Sequence, residues 1–210
     1  MSNTWLFLQL YDMIVSRIVF LIPQIQDFFD LPIQLRQRGV FMRKLGGQGQ
    51  KWLKCLHLIC VCFWVGGAIT MTLMNFVLSA TDGMELYGLN TAKLFVDYYI
   101  IIPGANGCLL TGILYAIFTR WGWFRHRWIV IKWIITLYGM IFGTFWLGPW
   151  LVQVTQLSKE HGLDAIQLAD YAQANTMLLV WGTFQCATLL FALCISILKP
   201  WKPVKPVTAS

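Results

Sequence analysis

Apolar positions gather in four long runs, at 52–80, 92–119, 128–154 and 175–198, with polar residues confined mainly to the gaps between them. Crossing a hydrocarbon core of about 30 Å takes about 20 helical residues, so each run is long enough to span. Lipid offers no hydrogen-bond partner to the backbone, and the runs therefore predict helices. Trp52, Trp121, Trp123, Trp128, Trp150 and Trp201 stand near run ends, where amphipathic rings prefer the headgroup level. A shorter run, Trp5–Ile22, is broken by Gln9, Asp12, Ser16 and Arg17 and closed by Pro23. Gln9, Asp12 and Ser16 recur at i, i+3 and i+7, a narrow polar stripe that predicts an amphipathic helix lying in the interface. The alternative is a fifth span that would move the N-terminus across the membrane. After Leu198 the Lys-Pro-Trp-Lys-Pro tail cannot continue a helix and is expected to be flexible.

The expected fold class is an all-α membrane protein: a four-transmembrane-helix bundle over 51–198, an N-terminal interfacial segment over 1–50, and a basic tail over 199–210. Composition agrees. The chain of 210 residues is 58% hydrophobic and 12% charged, against roughly 25% charged in soluble domains, and its mean hydropathy is +0.62. A soluble enzyme domain, a disordered tail and a secreted disulfide scaffold are excluded. The excess of 16 Lys+Arg over 9 Asp+Glu does not point to nucleic acid, because the bases flank apolar runs instead of tracking along a soluble face. All of them except Lys93 and Lys159 fall on one side of a four-span arrangement. By the positive-inside rule that side, with both termini, is cytoplasmic.

Candidate chemistry is sparse. In the first run His57, Cys60, Trp64, Gly67, Ala68 and Met71 share one helical face, which small residues at 66–68 should turn into the bundle. His57 is the only histidine inside a run, and an intramembrane ionisable residue is a functional candidate by default. In the second run Pro103 should kink the helix. Gly104, Cys108, Gly112 and Ala116 make a smooth strip for packing, while Asn106 and Thr111 are polar at depth. In the third, Lys132 should lie at the depth of His57 and near Arg125 and Arg127, a group suited to an anionic partner; Gly139 and Gly143 suit an internal contact or a dimer equally. The six cysteines all fall inside runs and read as small packing residues. Glycine-rich phosphate loops, zinc-binding His-Glu-x-x-His helices and serine elbows do not occur.

Lys54-Cys-Leu-His57 followed by Phe63-Trp64-Val-Gly66-Gly67 resembles the first-helix pattern, Lys-x-x-His with a downstream Trp-x-Gly, of a group of small bacterial inner-membrane proteins. The group includes the CopD-type copper-resistance proteins, the HemJ-type protoporphyrinogen oxidases and a related family of unknown function. Pro103 with Thr111-Gly112, then Trp128 and Lys132, resembles its later helices. The resemblance covers residues 52 to about 150. It implies a bacterial inner-membrane location and haem b or a porphyrin as cofactor, with His57 as axial ligand and Lys132 beside it. A departure is that Tyr138-Gly139 stands where a second histidine would fall, so a second axial ligand would have to be His126, Met71 or a residue of another protomer. A copper site would need soft ligands together, and the methionines and cysteines are scattered. Two functions follow as expectations. One is a non-enzymatic scaffold or lipid-interacting bundle, partnered by membrane lipid, other membrane proteins or a second copy of itself. The other is a haem-, porphyrin- or metal-associated redox protein using His57, Trp64 and Lys132.

Overall fold

The structure, a computed structural model, describes residues 45–119 and 127–198. The expected interfacial helix at Trp5–Ile22, the basic tail, Arg125 and His126 lie outside the described residues. All elements described are helical. Helix α1 is Gly47–Val77. Helix α2 (Gly83–Val96) runs through a π-turn at Asp97–Ile101 into α3 (Ile102–Phe118). Helix α4 (Arg127–Phe142) runs through a second π-turn at Gly143–Leu147 into α5 (Gly148–His161), and a 3-10 turn at Gly162–Gln167 leads to α6 (Ala169–Leu198). These elements form four helical rods long and apolar enough to cross a membrane.

The rods outrun the apolar runs that predict them. The second begins at Gly83, not 92, and the fourth at Ala169, not 175. The third stays α-helical to His161 instead of ending near 154. At 1.5 Å per residue the 36-residue stretch Gly83–Phe118 is about 54 Å long, well beyond a hydrocarbon core of about 30 Å. The extra length packs on itself. Leu86, Leu151, Val154, Ala165, Tyr171, Ala174 and Leu178 form one hydrophobic core at the end carrying Gly83 and Gly162, termed distal. Asn90, 1% exposed, lies within it. Its Nδ2 donates to Ser158 Oγ and Tyr171 Oη, both at 3.3 Å, joining the three distal segments through one amide. Asp82 starts α2 by accepting from the Glu85 backbone N–H at 2.8 Å, and the Glu85 carboxylate reaches back to the Thr81 N–H at 2.7 Å. This exchange satisfies the orphan donors of a helix start. Gly162 closes α5 at φ 58°, a left-handed backbone that suits glycine.

A second core, of Trp64, Ala105, Cys108, Leu109, Met140 and Leu189, fills the opposite half, termed proximal. Here α1 and α3 lie very close. A Cβ on Gly104 would stand 2.6 Å from the Trp64 backbone nitrogen, so only glycine fits there. Their ends are tied: the Leu45 N–H donates to the Phe118 carbonyl at 3.1 Å, and Tyr115 Oη donates to the Gln50 carbonyl at 3.3 Å. The Gly139–Gly143 pair serves an internal contact, because Gly139 is buried and a Cβ on it would meet the Trp64 ring at 3.1 Å.

Each π-turn ends two residues before a proline, Pro103 or Pro149. Proline has no N–H to offer the preceding turn. The chain responds by shifting to i→i+5 pairing, Ile102 N–H to Asp97 O and Gly148 N–H to Gly143 O.

Candidate functional site

Between the two cores, level with both π-turns, lies a cavity of about 470 Å³, within the range usual for small-molecule sites. Trp64, Ala105 and Met140 of the proximal core line it on one side, Leu151 and Leu178 of the distal core on the other. The π-turns contribute Asp97, Ile101, Gly143, Thr144 and Leu147 to its wall. Most of the lining is apolar, and the polar groups in it differ in whether they are already satisfied. Thr72 Oγ1 donates to the Ala68 carbonyl at 2.8 Å, and Asn106 Nδ2 donates to the Ile102 carbonyl at 3.0 Å. Both are turned back on their own helices. Gln185 differs: its Nε2 donates to the Gly139 carbonyl at 3.2 Å, but its Oε1 is buried with no partner among the described residues. Lys93, which also lines the cavity, is 6% exposed, and no hydrogen bond or ion pair reaches it among the described residues. An unpaired buried acceptor costs about 1–3 kcal/mol.

The residues singled out by sequence divide between this cavity and the proximal end. Trp64 and Asn106 line the cavity. His57 does not: it faces α3, where its Nδ1 lies 2.7 Å from Thr111 Oγ1 and its ring meets Tyr115 edge-on at 6.2 Å. Thr111 Oγ1 gives its proton to the Gly107 carbonyl at 2.5 Å. Lys132 is half-buried on α4 and near enough for its charge to act on both His57 and Cys108. The two residues that sequence placed at one depth are thus electrostatic neighbours. Arg127 is exposed at the start of α4, and Arg125 is outside the described residues.

Haem fits this arrangement poorly. The cavity does not include His57, and the other described histidine, His161, is exposed at the distal end. Among the described residues no three His, Cys, Asp or Glu side chains converge as metal ligands. The residues described do not form a bis-histidine haem site.

Sequence reasoning missed Lys93 and Gln185 as a pair. Gln185 was visible as a polar residue in the fourth run, but Lys93 stands at the very edge of the second run and reads as a base at its outer end until α2 is seen to start nine residues earlier, at Gly83. Pro149 was the other available signal, since it repeats in the third run what Pro103 announces in the second. No protein-family profile, curated protein or solved structure matches the chain.

Proposed function

We propose that this chain is a non-enzymatic, multi-pass membrane protein whose bundle holds one small lipid-like amphiphile in the cavity between its two cores. The observation that carries this reading is a largely apolar cavity between the two cores whose wall also holds the polar side chains of Thr144 and Gln185. A ligand with an apolar body and one polar group matches such a wall; a plain hydrocarbon leaves its polar part unused. A bacterial inner-membrane location goes with the family resemblance, and the one-sided distribution of Lys and Arg supports cytoplasmic termini. The distal half then stands on the outer side, and the cavity lies at the level where its core meets the membrane core.

Gly182 supplies the test. It lines the cavity, and a Cβ added there meets nothing within 4 Å, so Gly182→Leu starts its side chain in open space at the cavity wall. The full chain, purified in a mild detergent, should carry a co-purifying single-chain amphiphile detectable by native mass spectrometry and by solvent extraction. Gly182→Leu should lose it while unfolding at the same or higher denaturant concentration. Identical extracts from the two proteins would sink the proposal.

A further inference from the structure

A ligand in that cavity needs a polar end, and the wall contains one charged side chain whose chemistry can be read. Lys93 projects from α2 four residues before the first π-turn. Its four-carbon stem can run among apolar neighbours while delivering an ammonium to the cavity. No partner for that ammonium occurs among the described residues. The other charge in the wall, Asp97, already has an interaction of its own. A cation in surroundings of low polarity is stabilised chiefly by an anion that can also accept its hydrogen bonds.

Size narrows the class further. At roughly 30 Å³ per water-sized group, a cavity of about 470 Å³ holds on the order of fifteen such groups. That suits one chain or one fused ring system.

Resting on the cavity's being a ligand site, we infer that its occupant is a single-chain acidic amphiphile, with its carboxylate or phosphate on Lys93. The apolar chain extends toward Trp64 and Met140. Lys93 is then the residue that sets the class of ligand, while the apolar wall sets its length.

The test is equilibrium binding to the full chain in nanodiscs, with radiolabelled myristic acid as probe. Its methyl ester, a lysophosphatidic acid and a lysophosphatidylcholine serve as competitors. Myristate should bind saturably to the wild type, and Gly182→Leu should abolish that binding. Loss of a charge-assisted bond predicts at least about tenfold weaker binding for Lys93→Gln, while Lys93→Arg should stay within about threefold. The methyl ester should compete at least about tenfold less well than the acid on the unmodified protein, a comparison that holds even if Lys93→Gln fails to fold. Lysophosphatidic acid competing better than myristate identifies a phosphate as the natural head, and the reverse identifies a carboxylate; either supports the acid. Unchanged binding in Lys93→Gln, ester and acid competing equally, or lysophosphatidylcholine competing best overturns the acid and leaves the cavity reading standing. No saturable binding of any probe, together with identical lipid extracts from wild type and Gly182→Leu, overturns both.

Discussion

Substituting Gly104 by alanine tests the closest contact in the bundle. The new methyl carbon would stand 2.6 Å from the Trp64 nitrogen, 3.0 Å from Phe63 Cβ and 3.1 Å from the Cys60 carbonyl oxygen. Two of those atoms are backbone, so no side chain can swing aside. Ordinary contact needs about 3.5–4.0 Å, and α1 and α3 must therefore separate by on the order of 1 Å. A gap of that size forfeits roughly a quarter to a half of the dispersion energy of each atom pair it opens. Overpacking of this kind costs about 1–3 kcal/mol. Gly66 is the control: it is exposed on the same helix as Trp64, and a Cβ there meets nothing within 4 Å. Both substitutions gain the same helix-propensity advantage of alanine, about 0.5–1 kcal/mol, so it cancels in the comparison. Gly104→Ala should accordingly be less stable than Gly66→Ala by about 1–3 kcal/mol in reversible unfolding from mixed micelles with rising dodecyl sulfate, followed by circular dichroism. Equal stability of the two variants would refute the close approach of α1 and α3.

Asn90→Ala should destabilise the distal half by about 1–3 kcal/mol in the same assay, because Ser158 and Tyr171 lose a buried partner; a loss under about 0.5 kcal/mol would show that the amide is not shared as described. His57→Ala and Lys132→Ala should be non-additive by at least about 0.5 kcal/mol in a double-mutant cycle, since the Lys132 charge lies close enough to act on the His57 ring, and simple additivity would separate them. With a membrane-impermeant maleimide on intact cells, cysteines placed at Met84 and Leu163 should label and those at Gly122 and Thr208 should not. The opposite pattern would invert the orientation.

The membrane-crossing part of the fold was legible because lipid enforces it: a long apolar run has no alternative to a helix. Facing was legible too, since small residues at Gly67, Gly104 and Cys108 permit only close packing and all three are buried. Helix ends outside the lipid were not. The stretch Gly83–Thr91 carries polar residues at spacings that suit a surface loop as well as a helix, and its helical state depends on packing against Leu151 and Val154, far along the chain. The site suffered from the same gap. His57 and Lys132 could be matched by depth because each is counted from a tryptophan on its own helix. Lys93 and Gln185 are joined by a cavity that exists only once two proline-broken helices are set side by side, and no local pattern encodes that pairing.

Considered as lengths of chain, each π-turn is one extra residue spliced into an otherwise regular helix. One residue more or less turns everything beyond it by about 100° and moves it about 1.5 Å along the axis. Lys93 and Asn90 both lie beyond the first splice, seen from the proximal core. Deleting one residue from Asp97–Ile101 would therefore rotate Lys93 out of the cavity wall and carry Asn90 away from Ser158 and Tyr171 at the same stroke. A matching deletion in Gly143–Leu147 would turn α5 as well, yet α6 passes both levels without a break and would stay where it is. The phase of the two distal segments against that unbroken helix is what puts Lys93 and Gln185 in one cavity wall, so the spacing of residues through the π-turns matters to the cavity as much as their chemistry does.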